Sequence, residues 1–300
     1  MLEKMGTRKK ELLFAYCLLI PTIILLIVVI GIPLVESIYF SFTDTSLISF
    51  QTRNIVGFDN YKVLLKDSTF HTVILNTLVI VLTTVVVSFV LGLVLALLLD
   101  QAPMARFLRG VLIIPWLIPG VVIGIIWKWV LATEAGILNH ILRSVGILDK
   151  NFAFLSNTKA TIWFVIMVFI WTSVPYIMVT ALAALQSVPK ELEEAAIIDG
   201  AGSMQRFFYV VVPFIIPILS TAVILRIIYT MQDFAIIWSL TGGGPGVSTE
   251  TFVINVYKTA FNSTKIGMAC AVGVIWLFVL SIFVVFYFRI QKANEQRLYS

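Results

Sequence analysis

The sequence predicts an all-α membrane protein built on six transmembrane helices, and three observations carry that expectation. The first is composition: 60% of the 300 residues are hydrophobic and 12% are charged, with a mean hydropathy of +1.02. A soluble domain carries roughly 25% charged residues, so a single-core soluble fold is excluded. The second is the division of the apolar residues into separate runs, each near the ~20 residues a helix needs to cross a hydrocarbon layer ~30 Å thick. The third is that these runs are continuously apolar, whereas the strands of a membrane barrel alternate and last about ten residues.

The first run, Phe14 to Val35, follows Arg8, Lys9 and Lys10. It is longer than a signal-peptide apolar region and no A-x-A site follows it, so it is expected to stay as an anchor. The second, Val73 to Leu99, is followed by Arg106 and Arg109. The third runs from Val111 to Leu131, with Trp127 and Trp129 around Lys128 read as an interfacial belt. The fourth spans Thr161 to Leu185, the fifth Phe208 to Thr230 and the sixth Ile266 to Phe288, after which come Arg289, Lys292 and Arg297. With six spans these basic clusters fall on one side, while 40–72, 132–160 and 231–265 carry Lys and Arg more thinly. Basic residues near span ends stay cytoplasmic, so residues 1–13 and 291–300 are expected in the cytoplasm and 14–290 form the membrane domain. The net charge of +5 follows from this bias and from anionic lipid headgroups, and it implies no nucleic-acid partner.

Cys17 and Cys270 fall inside spans and read as small buried hydrophobes, and His71 and His140 lack ligand spacing, so no metal site is expected. TGGGPG at Thr241 to Gly246 is not framed by a strand and a helix, so it reads as a flexible turn, not a phosphate loop.

The connection between the fourth and fifth spans, residues 186–213, is the polar segment with clear helical patterning. Pro189 suits a helix first turn, where Glu191, Glu193 and Glu194 complement the helix dipole. A short helix from Lys190 to Asp199 is expected, thin at Ala195 and Ala196, and ended by Gly200 in a backbone state that glycine permits. Ser203 is placed to cap a second short piece, and Pro213 is tolerated early in the next span. Glu194, Ala195, Ala196, the Asp199-Gly200-Ala201 context, then Val210, Val212 and Pro213 match the EAA loop of ATP-driven importer membrane subunits, with Val in place of the commoner Ile and Leu.

The chain thereby resembles the permease subunits of ABC importers of type I fold. With YCLLIPTIILLIVVIGIPLVESIYFSFTD, RFLRGVLIIPWLIP and TGGGPGVSTETFVINVYKTAF, it is most similar to the carbohydrate-type family that includes the first membrane subunits of maltose and glycerol-3-phosphate importers. The resemblance implies a heterodimer with a second six-span permease, two ATP-binding cassette subunits and an extracytoplasmic solute-binding protein. It also implies that Glu193, Glu194, Ala195, Ala196, Asp199, Gly200, Ala201 and Pro213 couple this chain to the ATPases. No G-x-x-x-x-G-K-[ST] occurs in the chain, so ATP and Mg are expected on partner subunits, with no cofactor and no enzyme activity here.

Charged side chains inside a span usually face a cavity or the bundle interior. Arg226, Tyr229, Thr230 and Asp233 share one helix face by their spacing, and aromatic rings with hydroxyls and charges suit a sugar. An ion pair between Arg226 and Asp233 that only joins helices is the structural alternative. The family resemblance adds Ser173 and Tyr176 from WTSVPY, and Trp116, as further substrate contacts; Trp171 is read as core. Because a guanidinium pairs bidentately with carboxylate or sulfonate, an acidic or sulfonated sugar is one expected solute, against which Asp233 would cancel much of the charge. The rivals are an ion-coupled secondary transporter, which would show two similar halves, a membrane enzyme and a channel.

Overall fold

The computed structural model describes residues 7–51, 53–100 and 105–298. The first six and last two residues of the expected cytoplasmic termini lie outside it, as do the side chains of Arg8, Lys9, Lys10, Lys292 and Arg297. The regular structure among the described residues is helical, with one isolated bridge between Thr43 and Ile55 and no strand. In chain order the α-helices are α1 (Thr7–Leu26), α2 (Ile32–Phe40), α3 (Asp59–Lys66), α4 (Ser68–Asp100), α5 (Ala105–Leu112), α6 (Ile114–Leu117), α7 (Gly120–Val130) and α8 (Ile137–Ser144). They continue with α9 (Thr161–Gln186), α10 (Lys190–Ile198), α11 (Ser203–Arg206), α12 (Val212–Gln232), α13 (Ala235–Leu240), α14 (Phe252–Tyr257) and α15 (Ile266–Leu298). Short π-helical turns at Ile27–Gly31, Phe207–Val211 and Lys258–Asn262 join or follow them.

Among the described residues, five helical stretches are long and apolar enough to cross a membrane: Phe14–Phe40, Ser68–Asp100, Thr161–Gln186, Ser203–Gln232 and Ile266–Arg289. They match the expected first, second, fourth, fifth and sixth runs. The third run differs, because 111–131 is not one helix but parts of α5, α6 and α7. The cause is proline. Pro115 opens α6, and Pro119 lies between α6 and α7, with Ile118 before it driven to extended backbone at φ −77°, ψ 132°. At 1.5 Å per residue, α7 covers only about 16 Å, short of a hydrocarbon layer about 30 Å thick.

By its contacts the chain forms two compact units, residues 1–66 with 256–275 and residues 67–255 with 276–300. In the first unit none of the apolar window in Phe14–Phe40 is buried, and Cys17 is exposed, which corrects its expected burial. A helix apolar on all sides and uncovered by its own chain suits a lipid or partner-helix surrounding. The turn after α2 is tied down by Asn60, whose Nδ2 donates to the carbonyls of Ser41 (2.9 Å) and Thr43 (2.8 Å). Backbone bonds from Leu47 to Thr264 (2.8 Å) and from Gly267 to Thr45 (2.9 Å) join this turn to the start of α15.

In the second unit α4 packs along α9, and Gly92 is the reason they approach closely: a Cβ there would lie 2.7 Å from Cβ of Ile177. Two apolar clusters anchor this packing. One joins Ile80, Ile123, Phe169, Ile237 and Ile254 from α4, α7, α9, α13 and α14; the other joins Ala96, Ala181, Ile215 and Leu219 from α4, α9 and α12. The TGGGPG segment is held in place, contrary to the expected flexible turn. Thr249 Oγ1 bonds both Thr241 Oγ1 (2.8 Å) and the Gly244 carbonyl (2.8 Å), and Asn76 Nδ2 of α4 donates to the Val247 (2.7 Å) and Glu250 (3.2 Å) carbonyls.

Candidate functional site

Two places in the second unit carry chemistry, a polar cavity and the α10 segment. The cavity, of about 520 Å³, is lined by Trp116, Tyr176, Leu225, Arg226, Tyr229 and Asp233. Each lining element has a local reason for its place. Trp116 sits on α6, the short helix that the proline breaks hold apart from α5 and α7, and its ring centroid is 5.6 Å from that of Tyr176 on α9. Leu225 and Arg226 are neighbours on one turn of α12, and Tyr229 lies one turn on, four and three residues after them. Asp233 lies just beyond α12, where the backbone leaves the helix at φ −70°, ψ 115°.

Five of the seven expected substrate residues therefore meet at one cavity: Trp116, Tyr176, Arg226, Tyr229 and Asp233. Ser173 and Thr230 do not reach its wall. Ser173 is fully buried and its hydroxyl donates to the Phe169 carbonyl one turn back, and Thr230 donates likewise to Arg226 O at 2.9 Å. Inside an apolar helix a hydroxyl takes the carbonyl four residues earlier because no water competes for it. Leu225 was missed by the sequence reading, since a leucine in an apolar span gives no signal of lining a cavity.

The arrangement leaves charge available. Asp233 Oδ1 accepts the Ile236 N–H at 2.8 Å, so the carboxylate caps the first turn of α13. Arg226 and Asp233 act on each other electrostatically but form no ion pair with each other. The helix-joining ion pair considered from the sequence is thus not formed within this chain.

The aromatic belt is only partly as expected. Trp129 is 58% exposed, while Trp127 turns inward and packs edge-on against Trp171 at 5.5 Å. Trp171 itself borders a second, almost wholly apolar cavity with Leu91, Val111, Pro115 and Met178, so it is not sealed core.

The α10 segment has the expected helix, Lys190–Ile198, with Glu191 and Glu193 in its first turn. Its end is a Schellman turn: Gly200 N–H bonds Ile197 O at 3.0 Å and Ala201 N–H bonds Ala196 O at 2.9 Å, with Gly200 at φ +81°. Glu194, Ala195, Asp199 and Gly200 are exposed, and Glu193, Ala196 and Ala201 partly so. Large apolar side chains are exposed beside them, including Ile198 at 86%, Tyr209 at 81% and Met204 at 73%. Ser203 does not cap α11 as expected: Gly202 is the N-cap and the Gln205 side chain accepts its N–H at 2.9 Å. Pro213 lies in the first turn of α12 after the π-turn Phe207–Val211.

Comparison with known proteins bears on the family and the fold. Residues 88–299 match the model of the family described as "Binding-protein-dependent transport system inner membrane component". The chain is 34% identical over 289 residues to the sulfoquinovosyl glycerol transport system permease protein SmoG of Agrobacterium fabrum, covering 94% of this chain and 92% of that one. It is 30% identical over 288 residues to the diacetylchitobiose uptake system permease protein DasB of Streptomyces coelicolor, covering 94% and 87%. Among solved structures it is similar to a chain of a bacterial ABC transporter involved in the import of the acidic polysaccharide alginate, with a TM-score of 0.79, 22% identity and coverage of 95% and 96%. The MetNI methionine ABC transporter is a more distant likeness, at TM-score 0.56, 18% identity and coverage of 79% and 98%. At such identities these two bear on the fold, which is the type I permease fold expected from the sequence. Nothing in the comparisons supports an ion-coupled transporter, and the relatives are permease subunits, not enzymes. The chain belongs to the binding-protein-dependent transport system inner membrane components, the multi-pass permease subunits of ABC importers.

Proposed function

We propose that this chain is one membrane half of a sugar importer, with the cavity bounded by Trp116, Tyr176, Arg226, Tyr229 and Asp233 as its solute site. The observation that carries the reading is the composition of that wall. Three aromatic rings, a guanidinium and a carboxylate line a space of about 520 Å³. Rings stack on the apolar faces of a sugar while charged groups bond its hydroxyls, and the volume falls in the roughly 300–1,000 Å³ range of small-molecule sites. Relatives that are named for sugar transport support the assignment of solute class.

The rest of the assembly follows from the same reading. A second six-span permease completes the translocation path, and two ATP-binding cassette subunits hold ATP and Mg and hydrolyse it. A binding protein delivers the sugar on the extracytoplasmic side. Both termini and residues 186–213 face the cytoplasm, with residues 14–290 forming the membrane domain. The exposed α10 segment, with Ile198, Met204 and Tyr209 uncovered beside Glu194 and Asp199, is the surface that meets an ATPase. ATP biases the inward and outward states only if the ATPase engages α10 differently in the two.

The test is reconstitution with the partner permease, the ATPases and the binding protein in proteoliposomes. ATP hydrolysis should rise when binding protein and sugar are added, and sugar should accumulate inside. Trp116→Ala and Tyr176→Ala should reduce uptake while leaving assembly intact. Uptake that follows an ion gradient in the absence of ATPase subunits would refute the proposal.

A further inference from the structure

Among the described residues Arg226 makes no ion pair, although Asp233 on the same cavity wall acts on it electrostatically. Its Nε is buried and has no hydrogen-bond partner, and among the described residues no carboxylate pairs with it. The acidic group on that wall, Asp233, accepts the Ile236 N–H at 2.8 Å through Oδ1 at the start of α13 and forms no ion pair with Arg226. The remaining lining residues, Trp116, Tyr176, Leu225 and Tyr229, bring rings, hydroxyls and alkyl surface but no negative charge. A guanidinium held inside an apolar span is costly, and a solute in the cavity that Arg226 lines can offer it acceptors. A neutral sugar supplies hydroxyl acceptors; an oxyanion supplies two acceptors and a negative charge in the fork geometry that guanidinium favours.

We propose that the solute is a sugar bearing one anionic substituent, a carboxylate or a sulfonate, which docks on Arg226 while its ring lies against Trp116 and Tyr176. The inference rests on the sugar-importer reading above and narrows it to acidic sugars. Asp233 then opposes misplacement of the anion: held by α13, it repels an acidic group anywhere but at the Arg226 end of the cavity.

The experiment is equilibrium dialysis on the purified complex of this chain with its permease and ATPase partners, without binding protein, so that the binding protein's own selection does not enter. The probes are glucuronate, its methyl ester, 6-deoxy-6-sulfoglucose and glucose, and the proteins are the wild type, Arg226→Gln and Arg226→Lys. The wild type is expected to bind the two anionic sugars about tenfold or more tightly than the ester and glucose. Arg226→Gln should collapse that ratio to about twofold or less by weakening only the anionic probes, and Arg226→Lys should keep part of it because it keeps the charge but not the fork. Equal binding of acid and ester by the wild type overturns the proposal even if the Gln variant fails to assemble. Uniform loss of all four probes in Arg226→Gln also overturns it, leaving Arg226 as a packing residue and the sugar reading intact. Absence of binding by all four at millimolar concentration, in a complex whose ATP hydrolysis the binding protein still stimulates, overturns both.

Discussion

Gly200 offers a test in which backbone strain can be separated from steric clash. It ends α10 at φ +81° in a Schellman turn, and a Cβ built there meets nothing within 4 Å. Any cost of a side chain is therefore conformational. A left-handed residue other than glycine costs about 1–2 kcal/mol, a β-branched one up to about 3 kcal/mol, and asparagine less, since it tolerates this region. At about 1.4 kcal/mol per tenfold, a 2 kcal/mol strain shifts the balance between the formed and frayed turn about 30-fold. Because the segment is exposed and outside the apolar clusters, the strain should be relieved by fraying α10 and not by unfolding the helices around it. The expected order of uncoupling is thus Gly200→Asn, then Gly200→Ala, then Gly200→Val. The assay is the ratio of sugar accumulated to ATP hydrolysed in proteoliposomes, with yield of assembled complex as the control. Wild-type coupling in Gly200→Val, or equal loss in all three variants, would refute the argument that the shape of this turn transmits the ATPase state.

Gly92→Val should destabilise the second unit, because its side chain would overlap Ile177 and the Met178 backbone; overpacking costs about 1–3 kcal/mol, read as a lower melting temperature in detergent, with partial rescue by Ile177→Ala. Asn76→Ala removes two donations to the carbonyls of Val247 and Glu250 from a site only 8% exposed, and a buried acceptor left unpaired costs about 1–3 kcal/mol, so hydrogen exchange should rise across 241–251. In the segment after α2, Asn54 donates its side chain (2.9 Å) and backbone (2.8 Å) to the Asp44 carboxylate and holds it below its usual value of 3.8. This contribution is complete above that value and is lost as pH falls through the lower, folded one. Pepsin cleavage between 41 and 58, measured relative to an Asp44→Asn variant, should therefore rise with acidification below about 3.8 and stay flat if the two bonds do not form.

Much of this protein was legible one-dimensionally, since features set within a few residues of the backbone leave a mark in the sequence. Run length and hydropathy located the five helices that, among the described residues, are long and apolar enough to cross a membrane, because a helix satisfies its own backbone whatever surrounds it. Pro189, the acidic first turn and Gly200 gave the limits of α10 to within a residue, because the cap and the left-handed exit are local requirements. The i, i+3, i+7 spacing of Arg226, Tyr229 and Asp233 put them on one wall for the same reason. What only the tertiary structure decided are choices among competing partners. Hydropathy alone read 111–131 as a span, although Pro115 and Pro119 fracture it and so deliver Trp116 to Tyr176. Ser173 and Thr230 share the helices of the cavity residues yet spend their hydroxyls on carbonyls of those helices. Asp233, seven residues from Arg226, interacts with it electrostatically without an ion pair, while its Oδ1 takes the Ile236 N–H presented at the start of α13 and the Arg226 Nε has no partner. The sequence determines which groups lie on a face, while their bonding depends on which neighbours the packed helices bring within 3 Å, where a hydrogen bond forms.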